Sequence, residues 1–426
     1  MPKFGYSTKE NMSKIRIKNF GPIKNGHQEN DGWMDIKKVT IFIGNQGSGK
    51  STVAKLISSF SWIEKALTRG DYDIKWFTRK GKFKNNYCEY HKLANYFEDI
   101  EGKDNAEIEY KGDSYTIIYL HGNLSIEESH KGAYPLPQIM YVPAERNFIS
   151  TIKSPKLLKF SSDSLVEFLT EFDNAKNEIK RGLKLPINDT DLEYDKSNDI
   201  LHVKGKDYKV RLTEASSGFQ SIVPLYLVSW FLANSVKRQT ENKEPMSSDE
   251  LDRFKKGVKA IWSDDSFTDE QKRAALSALS TQFNKTAFIN IVEEPEQNLF
   301  PSSQQHMLNS LLEFNNINEG NKLILTTHSP YIINYLTLAV KAFSVSAKIE
   351  SSNKKAELSV KLNEIVPVVS TVNPNDWVIY ELDEAGSIIK LEDYEKLPSD
   401  ENYLNERMAE SNELFANLLE IEDLCQ

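Results

Sequence analysis

Gly44-Asn45-Gln46-Gly47-Ser48-Gly49-Lys50-Ser51-Thr52 has the residue types and spacing of a phosphate-binding loop. Glycines let backbone N–H groups curl around a polyphosphate, and the helix that follows adds partial positive charge at its N-terminus. Lys50 is placed to reach the β- and γ-phosphates, and the Ser51 hydroxyl to ligate Mg²⁺. A second cluster is Glu293-Glu294-Pro295-Glu296. An acid at the tip of a buried strand holds Mg²⁺, and a second acid beside it orients or deprotonates the attacking water. Glu293 is assigned to the metal and Glu294 to the water. The third cluster is His328-Ser329-Pro330. A neutral imidazole there can donate a hydrogen bond to a γ-phosphate oxygen or to the water. Together these groups imply chemistry on ATP or GTP.

Such groups need strands to carry them. Residues 39–43 form an apolar run, and Val53, Ala54, Leu56 and Ile57 begin a helical pattern after the loop. Residues 287–292 and 322–327 read as two more strands, ending at the acids and at His328. The separation of Lys50 from Glu293 exceeds what a compact GTPase or kinase-like domain needs. Inside that gap lies Glu214-Ala215-Ser216-Ser217-Gly218-Phe219-Gln220-Ser221, followed by an apolar run over 222–228. A Ser-Gly turn opening a helix can donate to phosphate, because its N–H groups point forward and its hydroxyl is free. Taken alone, it is a helix N-cap.

The order of these motifs resembles the ABC-type ATPase superfamily. Ser217, Gly218 and Gln220 match the Leu-Ser-Gly-Gly-Gln signature, with Ser216 in place of Leu and Phe219 in place of the second Gly. Glu293 through Pro301 is similar to the Glu-Glu-Pro-Glu-x-x-Leu-x-Pro string of the OLD and Rad50-like branch. Tyr141-Val142-Pro143-Ala144-Glu145-Arg146 sits where that clan places its Q-loop, which implies Glu145 and Arg146 beside the nucleotide. Lys14 to Ile23 looks like the clan's first strand, close to the bound base.

The resemblance implies an α/β fold, an ABC-type P-loop ATPase core with a mixed sheet flanked by helices. It implies ATP and Mg²⁺ as cofactors. It implies at least a homodimer, in which the signature of one subunit closes on the nucleotide of another. Members of this branch act on or near DNA, in repair and in bacterial defence against phage. The expectation is the sensor or scaffold ATPase of an anti-phage complex, with the general layout of PARIS and Septu ATPase subunits. Its effector, a nuclease, would be encoded separately, and DNA or a phage protein would be the trigger. A DNA-repair ATPase of the SMC/Rad50 type and a transporter subunit are the alternatives. The first normally carries long heptad arms, and the second needs a membrane partner.

Length and composition bound the rest. The chain has 426 residues, 39% of them hydrophobic, enough for two or three domains or one core with insertions. No apolar run approaches a membrane span and no signal-peptide stretch opens the chain, so a cytoplasmic protein without membrane contact is expected. Cys88 and Cys425 show neither metal spacing nor a disulfide framework. The net charge of −9 is concentrated after residue 390. Residues 75–84 interleave cations with aromatics, suiting either nucleic-acid contact or an ordinary solvated loop. Lys176, Lys180, Arg181 and Lys184 form a second basic cluster on an expected helix.

The core is expected over 12–340, interrupted by an insertion at 58–137 that contains a hairpin from 106–110 and 115–119. A helical lobe is expected over 151–190, with Leu165, Phe168, Leu169 and Phe172 on one face, then two strands within 192–213. A helical insertion follows at 236–286. Leu251, Phe254, Val258 and Ile261 share one face there, and Thr268 and Gln271 resemble a capping box before Leu276 and Leu279. A C-terminal extension at 341–426 should add strands at 368–372, 377–382 and 386–389. It should end in an acidic helix whose Leu404, Met408, Phe415, Leu418 and Leu419 face the core or, alternatively, are buried in an oligomer.

Overall fold

A computed structural model describes residues 13–98, 101–129, 134–152, 162–241, 248–263, 272, 279 and 285–424. A seven-stranded sheet organises them, in the order Gly26–His27, Ser387–Lys390, Trp377–Leu382, Val39–Gly44, Lys322–Thr327, Ala287–Glu293, Pro137–Val142. The run from Trp377–Leu382 to Pro137–Val142 is parallel, and Ser387–Lys390 turns back antiparallel. Val39–Gly44, Ala287–Glu293 and Pro137–Val142 are buried at every position. That is why they read as unbroken apolar runs, as parallel strands covered on both faces do.

Alternation along each strand feeds two cores. Ile289, Ile291 and Ile324 pack with Val53, Leu56, Ile57 and Phe60 of the loop helix, Lys50–Thr68. Phe288, Val292, Leu323 and Leu325 pack on the opposite face, against the signature helix Ser217–Thr240, Pro301–Asn316 and Pro330–Ile349. Two of these helices, Ser217–Thr240 and Pro330–Ile349, are long and apolar enough to cross a membrane by length and composition, contrary to the sequence expectation. In the fold, 67% and 39% of their most apolar windows are buried.

Several expectations need correction. The core does not end at residue 340. Trp377–Leu382 pairs along its whole length with Val39–Gly44, the strand that leads into the phosphate loop. Residues 368–372 form no strand; Val368–Ser370 is a 3₁₀ turn following Pro367, with Val368 and Val369 exposed. The hairpin Glu107–Lys111/Tyr115–Leu120 forms in register, but it is not a separate insertion. Its first strand pairs with Lys14–Lys18, and with Met34–Asp35 and Asn123–Glu128 they make one five-stranded sheet. The lobe after 151 has the helix Asp163–Asn177, with Phe168, Leu169 and Phe172 buried. A four-stranded antiparallel sheet over 183–211 follows where two strands were expected.

Packing and ion pairs take up part of the basic clusters, while Lys75, Lys80, Lys180 and Arg181 are exposed. Lys176 closes on Asp173 and Asp199 at 2.7 and 2.8 Å, and Lys184 lies on a strand and pairs with Asp189. In 75–84, Phe77 and Phe83 are core residues, while Arg79 and Lys82 each sit 4.5 Å over the Trp76 ring. In the 236–286 segment Ser248–Trp262 is helical; Thr268, Gln271 and Leu276 lie outside the described residues, as does Cys425. The acidic helix Tyr403–Leu424 docks only by its first turn, through buried Leu404 and a Tyr403 N–H to Glu381 bond. Beyond that turn Phe415, Leu418 and Leu419 are exposed, so its apolar stripe does not face the core.

Candidate active site

Register brings the three sequence clusters to one edge. Glu293 lies beside Thr326, Thr327 beside Ile43, and Gly44 beside Leu382. The loop, the acids and His328 therefore leave the carboxyl ends of adjacent parallel strands, where open α/β sheets bind ligands.

The loop needs its glycines. Gly44 and Gly49 have φ of +139° and +105°. A Cβ at Gly44 would stand 2.2 Å from the Leu382 carbonyl oxygen, and one at Gly49 would stand 2.9 Å from Ile23 Cγ1. Asn45, Gln46 and Gly47 are exposed at the loop's crest, and Asn45 Nδ2 donates to Glu384 Oε1 at 2.5 Å. Lys50, Ser51 and Thr52 open the helix. Lys50 Nζ donates to the carbonyls of Gly44 and Asn45 at 2.9 and 2.7 Å and lies 3.5 Å from His328 Nδ1. Burial lowers the Lys50 pKa to about 8 and nearby Glu294, Glu296 and Glu293 draw it back up, so it stays mostly cationic at pH 7. Ser48 Oγ is buried in the same loop without a hydrogen-bond partner. A captive ammonium, an unpartnered hydroxyl and a helix N-terminus fit a polyphosphate.

Glu293 is buried, and one of its carboxylate oxygens accepts the Ala144 N–H at 3.2 Å. Glu294 has φ of +45°; its N–H donates to the Thr326 carbonyl at 2.8 Å. Its Oε1 lies 3.7 Å from His328 Nε2. Burial, then the charge of Glu293, raises the Glu294 pKa, which makes its carboxylate a better proton acceptor. Burial, then Lys50, lowers the His328 pKa, so the imidazole is neutral at pH 7. Among the described residues no group of three or more His, Cys, Asp or Glu is arranged to hold a metal by itself. Mg²⁺ commonly takes one or two protein ligands and substrate phosphates, which Ser51 and Glu293 suit.

Arg146 is not free to reach a nucleotide. It is fully buried, and its guanidinium donates to the carbonyls of Glu294 (2.6 Å), Glu293 (2.7 Å), Pro143 (3.3 Å) and Ser221 (3.3 Å). Burial lowers its pKa to about 10, with Glu296, Glu294 and Glu293 opposing that shift, so it remains charged. Glu145 is exposed on the adjoining turn. Gln220 also turns inward, its amide donating to the Leu212 and Thr213 carbonyls at 3.4 and 3.2 Å. Ser217 is exposed at the helix start, and a Cβ on Gly218 would sit 3.1 Å from the Asn298 carbonyl. The signature is thus seated on the acid turn, an attachment that Asn298 Nδ2 to Ser221 Oγ at 2.9 Å reinforces. No hydrogen bond joins it to the loop among the described residues.

Sequence reasoning missed Glu296 and Glu384. Glu296 Oε1 accepts the His328 N–H at 2.7 Å and so fixes the histidine turn. Its place three residues after Glu293 in an acidic string was the available sign.

Fold and site define an α/β P-loop architecture suited to ATP, with the loop, the acids and His328 at one end of a run of parallel strands. A family profile described as "AAA ATPase domain" matches residues 151–333, less than half of the chain, and supports ATP binding and hydrolysis at that coarse level. No curated protein matches. The chain is similar to an SMC head bound to the C-winged helix domain of ScpA, with 14% identity and TM-score 0.34 over 76% of this chain and 90% of that one. It is similar to an SMC head domain from Thermotoga maritima, with 11% identity and TM-score 0.32 over 76% of this chain and 91% of that one. It is similar to a nucleotide-free ATP-binding cassette from an ABC transporter, with 12% identity and TM-score 0.28 over 90% and 92%.

Proposed function

We propose that this chain binds ATP with Mg²⁺, hydrolyses it in a homo-oligomer, and serves as the sensor or scaffold ATPase of a cytoplasmic anti-phage complex whose nuclease effector is a separate chain. The observation that carries the ATPase reading is the meeting of Lys50, Glu294 and His328 within 3.5 and 3.7 Å contacts at the ends of adjacent strands. The residues 44–52 cradle the phosphates, with Lys50 reoriented from loop carbonyls toward the β- and γ-oxygens. Ser51 and Glu293 would hold Mg²⁺, which offsets negative charge on those oxygens when bound. Glu294 takes the proton of the attacking water, and neutral His328 donates to the γ-phosphate or to that water. The exposed Ser217-Gly218 turn supplies donors to the nucleotide of a second copy, which makes the site composite.

The defence reading rests on the Glu293–Pro301 string, and the trigger is DNA or a phage protein. The cue shifts the oligomer only by its differential affinity for two states. The test has two stages. Glu294→Gln should retain ATP and lose hydrolysis, because an amide does not accept the proton; parental turnover in that variant would sink the assignment of the base. Co-expressed with its neighbouring gene the chain should restrict phage, and Lys50→Ala should remove that protection. DNA cleavage by the purified chain that disappears with a mutation in it would refute the separate effector.

A further inference from the structure

Beside the loop helix lies a cavity of about 240 Å³ that the nucleotide chemistry does not use. Ser59 and Trp62 of that helix form one wall, Tyr87, Tyr90 and His91 a second, and Tyr141 of the edge strand a third. Two buried polar atoms on these walls have no hydrogen-bond partner: Ser59 Oγ and His91 Nδ1. Their residues are 6% and 2% exposed. Native interiors leave few such groups unpaired, and two on one cavity mark a place built for a ligand with a polar edge.

The walls also define what that ligand is. Trp62 and Tyr87 lie 5.5 Å apart, and His91 packs 4.7 Å from both Tyr90 and Tyr141, so the lining is largely ring surface. Burial, then the charge of Lys55, lowers the His91 pKa to about 3, so its ring is neutral and offers a donor or acceptor according to tautomer. No Lys or Arg lines the cavity among the described residues, and the carboxylate at its rim is Glu167, which accepts the Tyr90 hydroxyl. A phosphate is disfavoured there. The volume is below the roughly 300–1,000 Å³ of drug-sized pockets, which limits the occupant to one or two fused rings with a small substituent.

We propose that this cavity binds an uncharged planar heteroaromatic molecule of nucleobase or nucleoside size, and that its occupancy controls the nucleotide site. The control follows from the walls. Ser59 and Trp62 ride on the helix that Lys50 begins. Tyr141 pairs with Ile291, two residues before Glu293 on the same strand. A ligand that bridges these walls sets the loop helix relative to the metal-holding acid. The binding claim is independent of the ATPase reading; the control claim rests on it.

Calorimetry with adenine, adenosine and thymidine, none of which carries a phosphate, tests binding without reference to hydrolysis. At least one should bind saturably. Ser59→Leu, which fills the cavity, and Trp62→Ala, which removes an exposed stacking face, should each weaken it at least tenfold while ATP binding persists. Lys50→Ala should leave it unchanged. The use of two variants guards against one failing to fold. Saturating probe should change the ATPase rate at least twofold. Failure of all three probes to bind, or loss of binding in Lys50→Ala, overturns the site. Binding with an unchanged rate in a hydrolysing enzyme overturns the control.

Discussion

Replacing Arg146 should separate two roles that a charged residue near a nucleotide can have. In Arg146→Met, the carbonyls of Glu293 and Glu294 lose bonds of 2.7 and 2.6 Å, and those of Pro143 and Ser221 lose longer ones of 3.3 Å. Leaving four buried carbonyls unpaired costs roughly 5 kcal/mol in all, at about 1 to 1.5 kcal/mol each, the lower part of the range for such groups. Against this stands the cost of burying the cation. Its pKa falls from 12.5 to about 10, equivalent to about 3 kcal/mol. The net destabilisation is therefore about 2 kcal/mol. Arg146→Lys should be no better, because it keeps the buried charge while one ammonium offers three donors to four carbonyls. Denaturant midpoints should thus rank parent above Met, with Lys level with Met or below it. Turnover should fall at least tenfold in both, with ATP binding altered much less, because the backbone of the two acids is released. A Met variant with parental kcat and midpoint would refute the positioning role. A variant that loses ATP affinity while keeping kcat would restore direct contact with the nucleotide.

Gly49→Ala should abolish ATP binding, since φ of +105° and a Cβ 2.9 Å from Ile23 strain the loop; equilibrium dialysis measures it. Glu64 is buried with its pKa raised from 4.5 to about 7 by burial, against the Ser114 and Tyr115 N–H groups and the Tyr110 hydroxyl that bond its carboxylate. The folded state thus binds its proton more tightly than the unfolded one, so the contribution is full below about pH 4.5 and is lost as pH rises through about 7. Glu64→Gln should remove up to about 3 kcal/mol of that pH dependence, read as converging denaturation midpoints at pH 5 and 8; an unaltered slope would count against it. Mixing inactive Lys50→Ala and Ser217→Arg subunits should recover activity through one intact composite site per mixed dimer. A monomer with full activity, shown by light scattering under assay conditions, would end that idea.

What could be read from the sequence was local. The phosphate loop, the acid string and His328 are contiguous, and each follows a strand whose burial makes it uniformly apolar. Where the outcome depended on a partner far along the chain, the reading failed. Residues 377–382 were legible as a strand, but nothing nearby says that this strand pairs with Val39–Gly44. The first strand and the later hairpin looked like separate units for the same reason, and they share one sheet. The Q-loop-like string places Arg146 beside the nucleotide, yet its partners are backbone carbonyls, which any sequence supplies. The tail helix has a stripe that suits burial, but periodicity does not say whether the covering surface belongs to this chain.

The acid turn shows why Arg146 and Thr326 bear on the proposed chemistry although neither carries a reacting group. Glu294 precedes Pro295 and has φ of +45°. A residue before proline is steered toward extended backbone, and a non-glycine residue in the left-handed region costs on the order of 1–3 kcal/mol. The turn persists because both polar groups of the Glu294 backbone are held. Its N–H donates to Thr326 at 2.8 Å and its carbonyl accepts Arg146 at 2.6 Å. Thr326 is on the strand that ends at His328, and Arg146 also holds the signature helix through Ser221. The strain at the acid is therefore offset by the same bonds that fix its two neighbours. A movement of the signature helix, of the kind that closure on a second nucleotide demands, would pull on the Glu294 carbonyl through one guanidinium. In the proposed composite site, that linkage would make the position of the Glu294 carboxylate depend on assembly, a physical route by which a lone chain would hydrolyse slowly.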